Sequence, residues 1–187
     1  SRSSAASDVY KRQVFWRGVL VVPIAIFVSA FYQLVHMGWS TPIIVLPTAL
    51  AIIFREVYPS YVLTFNHAVM ELSTRVSAYL FLLTDEYPSI ERNPNIAVIF
   101  PDVEGGKKLN RWLPLVKWFL AIPLYIVGII YALFSALVTI YAWLITSFTG
   151  NYPEFAGKTV LGTIDFWNRV YGYAVALVTD EYPSFSL

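Results

Sequence analysis

The chain has 187 residues, of which 57% are hydrophobic and 13% are charged. Soluble domains carry about 25% charged residues. The low charged fraction and the mean hydropathy of +0.59 together exclude an ordinary water-soluble domain and predict an integral membrane protein. A net charge of +1 argues against nucleic acid as a partner. The absence of cysteine excludes disulfides, thiolate nucleophiles and cysteine-ligated metals.

Four apolar stretches follow one another along the chain. Residues 14–36 would extend roughly 35 Å as a helix, which is enough to cross about 30 Å of hydrocarbon. After a break that ends in Pro42, residues 43–54 form a short apolar stretch that either crosses or re-enters the bilayer. Residues 62–83 are predicted to form a shorter helix, transmembrane or amphipathic and interfacial.

The second part of the chain repeats this order. Residues 91–111 are predicted to form a polar linker, with a short strand at residues 96–100 followed by a glycine turn. Residues 112–148 form one apolar run that predicts a long helix of roughly 55 Å, with its first turns in the interface and a kink at Pro123. Residues 159–178 are predicted to form the second shorter helix.

One six-residue motif occurs twice. Thr-Asp-Glu-Tyr-Pro-Ser at residues 84–89 returns at residues 179–184, and an identity of this length predicts an internal repeat. The predicted fold is an all-α integral membrane protein with two parallel tandem repeats, residues 14–90 and 112–187. Each repeat has a long transmembrane helix, broken in the first repeat, followed by a shorter transmembrane or interfacial amphipathic helix. Residues 1–13 are interpreted as a disordered or non-native lead.

The positions of Lys and Arg predict an orientation. If each repeat crosses twice, nine basic residues lie with the termini and the linker, while only Arg55 and Lys158 lie in the opposite turns. Cytoplasmic segments are enriched in Lys and Arg. The termini and the linker are therefore predicted to lie in the cytoplasm, with the chain crossing the membrane several times.

Two acid–base pairs have the i, i+4 spacing of a helix: Glu71 with Arg75, and Asp165 with Arg169. An acid four residues before a base is the favourable order on a helix. A lone charge at bilayer depth costs at least about 2.5–3.5 kcal/mol, which pairing reduces. The pairs are predicted to be structural locks that face each other around a pseudo-twofold axis normal to the membrane. A substrate or proton path and a contact with another subunit are the alternatives.

The repeated motif gives a second set of candidate residues: Asp85, Glu86, Tyr87, Pro88, Asp180, Glu181, Tyr182 and Pro183. Thr is expected to end the helix, Tyr to anchor at the headgroups and Pro to prevent continuation. Acids at a helix C-terminus oppose the dipole, which predicts basic partners such as Arg92, Lys107, Lys108 or another subunit. A docking site and a metal site of four carboxylates are alternatives, although no metal is predicted.

His36 and His67 are the candidate cofactor ligands, for haem or a chlorophyll magnesium. Neither has a partner histidine at a suitable spacing, so no cofactor is predicted. Bound lipid is expected, and a pigment or a quinone is the alternative. No Ser-His-acid grouping can be argued from spacing, so the chain is not predicted to be an enzyme.

Asn-Arg-Trp-Leu-Pro-Leu-Val-Lys-Trp-Phe-Leu-Ala-Ile-Pro at residues 110–123 begins a longer pattern. It continues through Tyr152-Pro153 and Arg-Val-Tyr-Gly-Tyr at residues 169–173 to the second motif. This pattern resembles domain of unknown function 4389, and residues 75–90 carry its second half once more. The resemblance implies a small bacterial integral membrane protein without an established activity, and hence a multi-pass protein of the bacterial inner membrane.

These features together predict a non-catalytic accessory or scaffolding subunit of a larger membrane protein complex. Its expected partners are membrane lipids and other integral membrane subunits. The alternatives are a small transporter or channel, and a membrane subunit that binds lipid, quinone or pigment.

Overall fold

The computed structural model describes residues 40–91 and 96–187, together with Trp16, Val19, Val21 and Val22, but not the side chains of residues 40–44. The described residues form five α-helices and no strand, so the all-helical prediction is confirmed for them. The helices are α1 (Ser40–Arg55), α2 (Ser60–Leu80), α3 (Lys117–Leu120), α4 (Ile122–Thr149) and α5 (Glu154–Ala174), with 3-10 turns at Glu104–Gly106 and Leu113–Leu115. Of the predicted helix at residues 14–36 only Trp16, Val19, Val21 and Val22 are described, and His36 lies outside the description.

Helices α2 and α5 each contain 21 residues, and each begins directly after a Tyr-Pro dipeptide. Pro59 (φ −63°, ψ 123°) and Pro153 (φ −66°, ψ 126°) are extended, so the helix starts at the next residue. Proline fixes φ near −65° and lacks an N–H, which suits a position at a helix start. The predicted starts at residues 62 and 159 were too late.

A left-handed leucine follows each of these two helices. Leu82 has φ 66° and Leu177 has φ 57°, a conformation that a helix cannot continue through. The helices therefore end before the motif threonines, and the prediction that Thr ends each helix is wrong. Sequence propensity did not reveal this, because leucine is a good helix former.

Helix α4 is the one described helix that is long and apolar enough to cross a membrane. Its 28 residues extend about 42 Å. Only 22% of its most apolar 18-residue window is buried, and Leu133 and Leu137 each expose more than 60% of their surface. At 16 residues, α1 extends about 24 Å, less than the hydrocarbon thickness.

The run at residues 112–148 was predicted to be one helix, and it is not. A 3-10 turn at Leu113–Leu115 and the four-residue α3 precede α4. Pro123 lies in the first turn of α4, where its missing N–H leaves no hydrogen bond unmade. Proline therefore begins the long helix here instead of kinking it.

Helix α5 runs antiparallel along α4. The rings of Tyr141 and Phe155 lie 6.0 Å apart near the turn that joins the helices, and Leu124 shares a buried cluster with Tyr173 at the other end. Between these contacts, Gly128 allows the Trp167 ring to approach closely, since a Cβ there would lie 2.7 Å from it. The two helices therefore pack side by side along their length while running in opposite directions.

Helix α2 is in turn antiparallel to α5. The Tyr58 hydroxyl, just before α2, donates to the carbonyl of Ala176, just after α5. The Tyr152 hydroxyl, just before α5, donates to the carbonyl of Phe81, just after α2, at 3.1 Å. Shorter helices that both crossed in the same direction would be parallel, so the predicted common direction of the two hairpins is wrong.

The predicted strand at residues 96–100 is also wrong, because this segment lies beside α2 and pairs with no described strand. The His67 Nε2 atom lies 2.7 Å from the Val98 carbonyl oxygen, and the Tyr58 N–H donates to the Gly105 carbonyl at 2.7 Å. The linker thus returns along α2 to its N-terminus. There Arg111 pairs with Glu56 at 3.1 Å, although the charge count placed the linker opposite this turn.

Candidate functional site

The first predicted acid–base pair is buried. Arg75 is 4% exposed, and its Nη2 donates to Glu71 Oε2 at 3.0 Å. Its Nη1 donates to the carbonyls of Ser89 at 2.9 Å and Glu91 at 2.8 Å. The guanidinium thus joins α2 to the chain that follows the first motif. Removing one partner of such a buried ion pair strongly destabilises the protein, because the remaining charge is left uncompensated.

The second pair makes the same connection at a more exposed place. Arg169 Nε lies 3.3 Å from Asp165 Oδ2, with side chains 31% and 66% exposed. The Arg169 guanidinium donates to Ser184 Oγ at 2.5 Å and to the Ser186 carbonyl at 2.6 Å. Each arginine therefore holds the chain after the motif of its own half. None of these bonds joins the two pairs to each other, and their facing across an axis stays a prediction.

The two motifs adopt matching conformations. Thr84 accepts a hydrogen bond from the Glu86 N–H, and Thr179 accepts one from the Glu181 N–H, both at 3.2 Å. In each motif the proline is buried, Pro88 in the first and Pro183 in the second, while the first motif exposes Asp85, Glu86 and Tyr87 and the second exposes Glu181 and Tyr182. The motif tyrosines pack edge-on against helix tyrosines: Tyr87 on Tyr79 and Tyr182 on Tyr173, each with centroids 5.7 Å apart.

The four motif carboxylates do not converge. Because α2 and α5 are antiparallel, the motif that follows α2 and the motif that follows α5 lie at opposite ends of the helix pair. Within the described ranges, no group of three or more His, Asp or Glu side chains is placed to hold a metal ion. The metal-site alternative placed all four on one side of the membrane, and that placement is wrong.

Sequence reasoning missed the basic partner of Asp180. It is Lys117, whose Nζ lies 2.7 Å from Asp180 Oδ1 and donates to the Thr179 carbonyl at 2.7 Å. Lys117 is 1% exposed, and burial lowers its pKa, while the hydrogen bond and charge of Asp180 oppose that shift. The signal was present, since Lys117 is the sole charge of its apolar run and needs an acid. Of the predicted partners, Lys108 pairs with Glu104 at 2.8 Å, and Arg92 lies outside the described residues.

His67 is engaged with the linker. Besides its contact with Val98, its Nε2 lies 3.8 Å from Glu71 Oε1, and its ring meets Phe100 edge-on with centroids 5.0 Å apart. A ring nitrogen already bound to a backbone carbonyl is a poor cofactor ligand. The structure therefore gives His67 a role in positioning the linker.

A cavity of about 390 Å³ lies between α2, α4 and α5. On α2 and α5 its walls are five pairs of positions, each pair separated by 94 residues. The pairs are Val69 and Thr163, Met70 and Ile164, Ser73 and Trp167, Thr74 and Asn168, and Ser77 and Tyr171. Phe81, Ala132 and Ser135 complete the walls, and Ser135 Oγ lies 2.7 Å from Thr163 Oγ1. Facing walls made of equivalent positions place the cavity on a pseudo-twofold axis.

No protein-family model matches the chain, and neither the curated proteins nor the solved structures contain a match. The resemblance to domain of unknown function 4389 therefore stays a prediction. Any functional conclusion for this chain has to come from its own geometry.

Proposed function

We propose that the chain is a non-catalytic accessory or scaffolding subunit of a larger protein complex in a bacterial inner membrane. We further propose that it consists of two tandem repeats of the type suggested by its resemblance to domain of unknown function 4389. The observation that carries the proposal is the contrast between two faces of the molecule. One face is a bare apolar helix, and the other carries a partly exposed non-helical segment.

The apolar face is formed by α4. Ile126, Ile130, Leu133, Leu137 and Ile140 are each more than half exposed. Burying apolar surface is favourable by about 25 cal/mol per Å², so this helix is unsuited to water. Hydrocarbon is the environment that fits it, with α5 packed along its protein side.

The linker beside α2, unlike α4, is unsuited to contact with hydrocarbon. Residues 96–103 are non-helical, four of the eight are exposed, and Ile99 exposes 89% of its surface. Helix α2 packs on α5 and α5 packs on α4, so on the proposed membrane placement this segment would lie beside a membrane-crossing helix. Lipid cannot satisfy exposed backbone N–H and C=O groups, so irregular backbone at this depth must be covered by protein or line a water-filled space. Another subunit on the α2 face meets that requirement.

A transporter or channel is less well supported. Such a function would need the charged pairs to line a wet path. Here both arginines are engaged with the chains that follow the motifs, and the lining of the cavity between the helices contains no charged side chain. The described residues better support scaffolding, with another subunit bound on the α2 face.

Site-specific photo-crosslinking in native membranes tests the two faces. A photoreactive residue in place of Ile99 is expected to give a protein–protein adduct. The matched control at Leu137, exposed on α4, is expected to give lipid adducts only. Lipid adducts at both positions, or a chain that stays monodisperse without detergent, would contradict the proposal.

A further inference from the structure

The cavity on the pseudo-twofold axis is open because of residue differences between equivalent positions. Helix α2 carries Ser73 and Ser77 where α5 carries Trp167 and Tyr171. Protein interiors have few voids larger than a water molecule, since the lining of a void loses its packing contacts. Two serines at the positions where α5 carries aromatic residues thus leave space on the α2 side that an occupant would fill.

The lining defines the chemistry of that occupant. It has no charged side chain, so a charged ligand would be buried without a counterion at high cost. The Ser77 hydroxyl makes no hydrogen bond within the described part of the chain. The Asn168 amide uses one N–H on Thr74 Oγ1, at 3.1 Å, and keeps a second. Both groups are donors suited to carbonyl oxygens.

The size and position of the cavity fit a lipid head. Ligand sites commonly have volumes of about 300–1,000 Å³ and are mostly apolar with a few polar groups, as here. Ser135, in the cavity wall, lies near the midpoint of α4. An occupant at this depth comes from the bilayer and leaves its hydrocarbon tail there.

We propose that this cavity binds an uncharged lipid whose polar head carries carbonyl oxygens. A quinone and a diacylglycerol both supply this chemistry. The inference rests on the membrane placement proposed above, because only a chain within the bilayer meets such lipids at this depth.

Native mass spectrometry of the full chain in detergent tests the inference, with a short-tailed benzoquinone and a diacylglycerol titrated separately. Ser77→Tyr restores on α2 the residue that α5 carries and fills the cavity. Ser60→Tyr, at an exposed position on the same helix, is the matched control. Asn168→Leu removes the amide donor without filling the space and serves if Ser77→Tyr does not fold.

A saturable one-to-one adduct is expected with at least one of the two lipids, and the lipid that forms it identifies the source. Ser77→Tyr and Asn168→Leu should each weaken it at least about tenfold, the change expected for one lost buried hydrogen bond, and Ser60→Tyr should not. No adduct with either lipid, or equal adducts in all variants, overturns the inference. Lipid crosslinking at Leu137 would still be expected in that case, so the crosslinking experiment tests the proposed function independently of lipid binding in the cavity.

Discussion

Thr74 and Asn168 occupy equivalent positions 94 residues apart and are hydrogen-bonded to each other, at 3.1 Å from Asn168 Nδ2 to Thr74 Oγ1. Two equivalent residues touch only where they lie close to a twofold axis. Tyr58 and Tyr152, also 94 residues apart, each donate a hydrogen bond from the hydroxyl to a backbone carbonyl of the other half, Ala176 and Phe81 respectively. The interface between the halves is therefore self-complementary, like the interface of a symmetric dimer.

Removing either tyrosine hydroxyl should loosen this interface. Tyr152→Phe leaves the Phe81 carbonyl without its donor, and a loss of about 1 kcal/mol in the free energy of unfolding is expected. Denaturant unfolding in detergent measures it. Tyr61→Phe, at an exposed site on α2, is the control. Equal losses in both variants would argue against a stabilising hydrogen bond from Tyr152.

The Tyr58 hydroxyl predicts a dependence on alkaline pH. Burial raises its pKa from 10.0 to about 12, against a smaller opposing effect of the hydrogen bond from Asn66. The unfolded chain releases this proton near pH 10 and the folded chain near pH 12. The contribution to stability is therefore complete below about pH 10 and is lost as the pH rises towards about 12.

Comparing the wild type with Tyr58→Phe isolates this titration. The variant should be less stable at neutral pH but should lose less stability between about pH 10 and 12. Parallel pH profiles for the two proteins would show that Tyr58 is not the group responsible.

Arg75 and Arg169 make matching bonds at different burial, so their replacements should differ in effect. Arg75→Leu leaves buried Glu71 uncompensated, and a loss of about 3–5 kcal/mol with low folded yield is expected. Arg169→Leu should cost about 1 kcal/mol, since the Arg169–Asp165 pair is largely solvated. Folded yield and melting temperature in detergent measure both, and equal effects would contradict the assigned burial.

Lys117 should position the start of α4 through Asp180. Lys117→Met leaves a partly buried carboxylate without its cation, and a loss of about 2 kcal/mol is expected. The double variant Lys117→Met with Asp180→Asn should recover part of that loss, because no unpaired charge remains. Additive losses in this cycle would mean that the two side chains do not interact.

Composition and local chemistry determined much of this protein before any coordinates. The charge content and the apolar run predicted α4, and the i, i+4 spacing predicted the Glu71–Arg75 and Asp165–Arg169 pairs. The duplicated motif predicted matching segments, and both copies adopt matching turns. These features depend on neighbouring residues, so a sequence pattern is enough to reveal them.

Only the tertiary structure decided how the halves meet. The antiparallel arrangement of α2 and α5, the return of the linker along α2 and the Lys117–Asp180 pair join residues far apart in the chain. The left-handed leucines also escaped prediction, because packing overrides the helical preference of leucine. The cavity lies where α2 carries Ser73 and Ser77 and α5 carries Trp167 and Tyr171, and no pattern along the sequence reports which residues line a cavity.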